Sequence, residues 1–198
     1  MGVLNLTPDS FSDGGVWLDP DRAVDRALEL VEQGADILDL GAESTRPGGG
    51  VYGDGAVEIS AHEETERLLP VLQRIRDLVS VPISVDTRKG SVAGRALAAG
   101  ADLINDISAL EDEDLARVVA EHSVPVVLMH SRGTLSSMQR AIRFTDVVSE
   151  VVSELELKIE QAVAHGISEQ SLIIDPGIGF GKTTQQNLEL LRNLDRLA

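Results

Sequence analysis

Short runs of Val, Ile and Leu alternate along the whole chain with longer stretches in which apolar residues recur every three or four positions. The short runs fall at residues 2–5, 36–41, 82–86, 103–106, 125–130 and 172–175. Their length and their β-branched content predict six strands buried on both faces. Val81-Pro82 and Val124-Pro125 put a proline at a strand start, where its missing N–H is tolerated. The longer stretches predict helices. Asp19 is placed to cap one with Pro20 in its first turn, Ala23, Val24, Ala27, Leu28 and Val31 then share a face, and Gly34 stops it. A longer stripe runs through Val147, Val148, Val151, Val152, Leu155, Ile159 and Val163 to Gly166. Gly34-Ala35-Asp36 and Gly100-Ala101-Asp102 repeat one solution for turning a helix end into the next strand.

Strands alternating with helices imply a parallel sheet with right-handed crossovers, either doubly wound or closed into a barrel. The strand ends favour the barrel. Nearly every one carries a polar group: Asn5, Asp39, Asp86, Asn105-Asp106, His130 and Asp175. In a (β/α) barrel these ends converge on one face, where the chemistry sits. In a doubly wound sheet they would spread along an edge. The expected fold is therefore a TIM-type (β/α) barrel, represented here by about six βα units.

Composition narrows the function more than the fold. The 198 residues suffice for one large domain, and the 42% apolar content is ordinary for a soluble chain. No apolar run has the length of a membrane span, and no secretory-type leader opens the chain. With no cysteine there are no disulfides or thiolate metal sites, which is compatible with a cytoplasmic setting. A net charge of -16 repels nucleic-acid backbones, so an anionic ligand must be a small molecule met by local donors or a cation.

Two loops carry most of the candidate chemistry. After the first strand come Asn5-Leu6-Thr7-Pro8-Asp9-Ser10-Phe11-Ser12-Asp13-Gly14-Gly15, a polar run that builds no core. It can bind a metal-bound anion through Asn5 and close on its two glycines. Late in the chain, Gly177-Ile178-Gly179-Phe180-Gly181-Lys182-Thr183 invites a phosphate-loop reading, which the spacing refuses: the position that must be glycine is Pro176. What remains is a glycine-rich turn after Asp175 whose backbone can approach a flat ligand closely.

The first run resembles the opening signature of the dihydropteroate synthase family, and Asp175 to Lys182 matches that family's second loop. In between and in order lie Gly41-Ala42-Glu43-Ser44-Thr45-Arg46-Pro47-Gly48-Gly49, Ser84-Val85-Asp86-Thr87-Arg88 and Ile104-Asn105-Asp106, with a weaker match at Met129-His130-Ser131-Arg132-Gly133. The resemblance implies condensation of dihydropterin-methyl diphosphate with p-aminobenzoate, giving dihydropteroate and diphosphate on the route to folate. It implies that Asp86, Asn105 and Asp175 meet the pterin ring and stabilise positive charge on it as diphosphate departs. Gly179 and Phe180 belong to the same ring site. Asn5 matches the family's Mg²⁺ ligand, Thr45 donates to the diphosphate, and Phe11 and Pro47 cover the aminobenzoate, where sulfonamides would compete. Arg46 and Arg88 are candidate anion partners. A cytoplasmic homodimer is the family's usual state.

Simpler roles compete at several positions. Asp86, Asn105 and Asp175 could each cap a following helix. Asp39 reads as a buried structural hydrogen-bonding residue and His130 as a core histidine. His62, His122 and His165, with the acidic runs 111–114 and 63–64, read as solvated. Trp17 and Tyr52 read as packing or lid residues. The match spans residues 1–198 as one pterin-binding barrel domain incomplete at both ends: it begins inside the first strand and lacks the family's last two, with their substrate-binding lysine and Arg-x-His. A non-catalytic pterin-binding module or an inactive fragment is one alternative. A pterin-dependent methyltransferase domain is another, which the two loops 7–11 and 44–48 argue against.

Overall fold

A computed structural model describes residues 1–7, 19–44, 58–133 and 143–197 of the chain. Among them strands and helices alternate: β1 (Gly2–Asn5), α1 (Pro20–Glu32), β2 (Leu38–Gly41), α2 (Ala61–Arg76), β3 (Ile83–Asp86), α3 (Gly90–Ala98), β4 (Leu103–Asp106), α4 (Glu113–His122), β5 (Val126–Met129), α5 (Val147–Ala164), β6 (Leu172–Asp175) and α6 (Thr184–Arg192). All pairings are parallel and the strands lie in the order β1-β2-β3-β4-β5-β6. A doubly wound sheet must reverse its order at a switch point. A strictly sequential order is the winding of a (β/α) barrel, of which these are six consecutive units.

Three strands are shorter than the apolar runs predict. β2 starts at Leu38, β3 at Ile83, and β5 covers only Val126–Met129. Pro82 and Pro125 sit one residue outside their strands, yet their carbonyls still accept from Leu38 N–H at 3.0 Å and Ile104 N–H at 3.1 Å. A proline can extend a ladder as an acceptor only, which accounts for the shift.

The register sorts side chains into rows. Leu4, Leu40, Val85, Ile104, Val126 and Leu172 stand side by side across the six strands. This all-aliphatic row faces the helices and, with Leu68, Leu72, Ile75, Val92, Leu115 and Val119, forms the main core. On the opposite face the two outer strands are open: Val3 on β1 is 56% exposed and Ile173 on β6 46%.

The helix signals in the sequence act as expected. Asp19 accepts from Asp21 N–H at 3.0 Å, with Pro20 leading the helix. α5 buries Val147, Val148, Val151, Leu155 and Ala162, while Val163 at the end of the stripe is exposed. The repeated helix ends are real and occur three times. Gly34, Gly100 and Gly166 adopt φ of 97°, 102° and 89°, and the residue after each donates back to a carbonyl in the last turn. Only glycine takes that conformation without strain.

Two acids expected to face water do not. Asp112 caps α4 through Asp114 N–H at 2.9 Å and also accepts from Gly90 N–H at 2.8 Å, tying α4 to the start of α3. The helices touch there: a Cβ on Gly90 would lie 2.5 Å from Asp114 and Leu115 backbone atoms. Glu64, in the first turn of α2, has no exposed surface at all.

Candidate active site

The next row of the sheet carries the chemistry. Asn5, Gly41, Asp86 and Asn105 are direct neighbours across β1 to β4, continued by Val127 and Ile173. Side chains alternate along a strand, so this row points away from the helices. Asp175, two residues beyond Ile173, points to the same side. Four polar residues from four strands therefore share one face, at the carboxyl ends of the strands, as a barrel site requires. Gly41 leaves the space between its neighbours free: a Cβ there would lie 3.4 Å from Asn5 Oδ1 and 3.6 Å from Asp86 Oδ2.

None of the three ring candidates caps a helix. Lys89 occupies the cap position of α3 without a side-chain bond, Asp112 caps α4, and Thr183 caps α6 in a reciprocal box with Gln186. Asp86 Oδ1 is buried with no hydrogen-bond partner among the described residues. Burial, reinforced by the charges of Asp39 and Asp106, holds the Asp86 carboxyl well above the usual carboxylate range. A buried, unsatisfied acid costs about 1–3 kcal/mol unless a ligand meets it, and such groups gather at functional sites. Asp39 lies one layer deeper on the same face, where it accepts from Asn105 Nδ2 at 3.2 Å. Burial raises its carboxyl too. The bond to Asn105 fits the structural role expected of it, on one oxygen only: Oδ1 is buried with no partner among the described residues.

The loop after β6 folds back on itself. Asp175 Oδ1 accepts from Gly177 N–H at 2.7 Å, and Gly177, Gly179 and Gly181 take φ of 67°, 88° and 65°. Lys182 is 4% exposed, with its ammonium donating to the carbonyls of Gly177 and Phe180 at 3.0 Å and of His130 at 3.2 Å. His130 is buried and only half satisfied: Nε2 meets Glu154 at 3.0 Å, while Nδ1 has no partner among the described residues. Burial, with the nearby Lys182, lowers its pKa. Arg132 grips Glu154 and Glu150 and lies 3.9 Å over the Phe144 ring.

Arg88 meets a carboxylate of the protein itself, and its Nε is buried with no partner among the described residues. It donates to Glu43 Oε2 at 2.8 Å, within a buried network at the ends of β2 and β3. Lys89 bridges Glu43 at 2.8 Å and Glu64 at 2.7 Å, and Thr87 donates to Glu64 at 2.6 Å. Glu43 also accepts from Ile59 N–H at 3.1 Å, so residues on both sides of segment 45–57 are tied to one carboxylate. Burial opposes ionisation of Glu43, but Lys89 and Arg88 outweigh it and its pKa falls. Glu43, Glu64 and Lys182 escaped the sequence reading. The signal for Lys182 was its place in the glycine loop; Glu64 looked like any first-turn acid.

Phe11, Thr45, Arg46 and Pro47, with Trp17 and Tyr52, lie outside the described residues. His62, His122 and His165 are exposed, as expected. Among the described residues no three His, Cys, Asp or Glu side chains gather to hold a metal. The Asn5 amide oxygen, facing the open space over Gly41, suits a hard ion whose other ligands are water and ligand oxygens.

This geometry agrees with what the chain resembles. The sequence profile of a family described as pterin binding enzyme matches residues 1–198. A dihydropteroate synthase of Synechocystis is 42% identical over 198 residues, covering all of this chain and 66% of the relative's length. The solved dihydropteroate synthase of Yersinia pestis, in complex with a sulfonamide drug, superposes with a TM-score of 0.92 at 40% identity, covering 100% of this chain and 69% of the other. That of Xanthomonas albilineans with 4-aminobenzoic acid gives 0.87 at 46%, covering 100% and 67%.

Proposed function

Since the chain belongs to the pterin binding enzyme family, we propose that the protein containing it is a dihydropteroate synthase of folate biosynthesis. It joins 7,8-dihydropterin-6-ylmethyl diphosphate to p-aminobenzoate and releases diphosphate. The observation that carries this reading is the shared face of Asn5, Asp86, Asn105 and Asp175. A pterin offers a flat edge of N–H, amino and carbonyl groups, which two carboxyls and an amide at the floor of a site can pair. In the reaction the methylene C–O bond breaks and diphosphate leaves with the electron pair. The arylamine lone pair then forms the C–N bond, and the nitrogen loses a proton. Asp86 and Asp175 stabilise the positive charge that spreads into the ring, an electrostatic effect that grows inside a buried site.

Asn5 would hold Mg²⁺, whose chemistry is to neutralise charge on the diphosphate. Thr45 and Arg46 are assigned to the diphosphate side, Phe11 and Pro47 to the aminobenzoate, and Gly179 and Phe180 to the ring. Sulfonamides, as aminobenzoate mimics, compete at Phe11 and Pro47. No helix among the described residues is long and apolar enough to cross a membrane. The resemblance to the family is what supports assigning the protein as a cytoplasmic homodimer.

The test is incorporation of labelled p-aminobenzoate into dihydropteroate by the intact protein. Turnover is expected in the wild type, with a loss of about 100-fold or more in Asp86→Asn, the scale of removing one preorganised charge-stabilising group. A folded wild type that binds the pterin diphosphate but forms no product would leave a binding module instead.

A further inference from the structure

Resting on that reading of the site, we propose that Lys182 is a positioning residue for the pterin. Its buried ammonium locks the glycine-rich loop after β6 against the end of β5 and thereby sets Asp175.

The argument runs through one peptide unit. Gly177 N–H holds Asp175 Oδ1 at 2.7 Å, while the Gly177 carbonyl is held by Lys182 Nζ at 3.0 Å. The same ammonium takes the Phe180 carbonyl from the far side of the loop and the His130 carbonyl from the neighbouring strand end. His130 N–H in turn donates to the Asp175 carbonyl at 2.8 Å, closing the circuit between strands. The loop is pulled in so far that a Cβ on Gly177 would lie 1.9 Å from the His130 oxygen. Three carbonyls converge on one cation, and no carboxylate touches it among the hydrogen bonds of the described residues. A lysine that served only charge balance would sit on an acid. This one replaces the backbone partners the loop lacks, and the aspartate it sets is one of the ring candidates.

The charged groups around Lys182 come from β6, the segment after β5, and α5. Burial pushes its pKa down to about 8; Asp175 and Glu154 oppose this and Arg132 adds to it. His130, whose carbonyl it holds, has its own pKa lowered by burial and by the Lys182 charge. Below pH 8 the full set of three donors is present. Above it one is lost, and the loop loosens.

Binding of dihydropterin-methyl diphosphate to the intact protein, followed by calorimetry from pH 7 to 9, tests this. Wild-type affinity should fall about tenfold over that range, as one proton linked to binding at pH 8 requires. Lys182→Arg, which stays charged, should lose that alkaline fall, and Lys182→Met should bind at least tenfold more weakly at pH 7. A merely structural lysine would lower the unfolding midpoint and leave both readouts unchanged. An alkaline fall that persists in Lys182→Arg belongs to the ligand or another group and overturns the proposal. If the variants fail to fold, the wild-type lysine nitrogen signal decides: its titration near pH 8 must move up when the pterin binds, and an unmoved value refutes the role. A folded wild type that binds no pterin at any pH overturns the reading of the whole site, whereas pH-independent binding overturns the role of Lys182 alone.

Discussion

Asn105 on β4 donates its side-chain amide to Asp39 on β2 at 3.2 Å, reaching past the strand that carries Asp86. The bond fixes which way the amide turns: its nitrogen points down into the layer below, leaving the carbonyl oxygen for the ligand layer. Asp39 never needs to touch a ligand to matter.

We predict that Asp39→Ala weakens pterin binding about fivefold, the worth of one net hydrogen bond near 1 kcal/mol. Equilibrium binding of the pterin diphosphate to the purified variant checks this, and an unchanged dissociation constant would show that Asn105 holds its orientation unaided.

The network of Glu43, Glu64, Lys89 and Arg88 should be costly to break. Glu64 is fully buried and meets both Lys89 and Thr87. Glu64→Ala leaves Lys89 partly uncompensated, and the expected loss is about 3–5 kcal/mol in a denaturant titration. A loss under about 1 kcal/mol would mean that water reaches Lys89 freely.

The same network gives an acid limb to stability. The Glu43 pKa is lowered in the fold, so its contribution is complete above the ordinary value of 4.5 and disappears as pH falls through the lower folded value. Glu43→Gln should therefore flatten the pH dependence of the unfolding free energy below pH 4.5. Parallel acid limbs in the two proteins would argue against it.

Lys182 has the opposite sign. Its pKa is 10.5 unfolded and about 8 folded, so between those values the unfolded chain binds the extra proton and stability rises with pH. From pH 8 to 10 the wild type should gain roughly 2 kcal/mol relative to Lys182→Arg, in which the charge cannot leave. Affinity for the pterin moves the other way over the same range, so thermal melts and binding curves must diverge.

Gly90→Ala is ordinarily a mild gain in a helix, near 1 kcal/mol. Here the added methyl would meet backbone of α4 at 2.5 Å. We expect a net loss of about 1–3 kcal/mol as the two helices separate. A melting temperature at or above the wild-type value would show that they slide without cost.

The regular part of this chain was legible because each signal is local. Asp19 before Pro20, Gly34 and Gly100 after apolar stripes, and prolines flanking Val-rich runs each fix a boundary within a residue or two. The convergence of Asn5, Asp86, Asn105 and Asp175 was legible too, because strand ends meet in a barrel whatever lies between them. The pairings of Glu64 and Arg88 were not legible, for the reverse reason. Their partners lie 25 and 45 positions away, at Lys89 and Glu43, and a charge in a first helical turn looks the same whether a neighbour covers it or not. Asp112, read as solvated, likewise gives no local sign of its bond to Gly90, 22 residues back.

Gly41 has one more consequence. The backbones of Asn5 and Asp86 stand two strand spacings apart across it, about 9.6 Å. Their side chains nevertheless lean in over the glycine, with Asn5 Oδ1 and Asp86 Oδ2 at 3.4 and 3.6 Å from where its Cβ would be. An amide and a carboxyl from strands that are not neighbours are thereby brought closer together than their backbones are. A side chain at position 41 would stand between them, so the smallest residue of the row is what lets two strands present one polar patch.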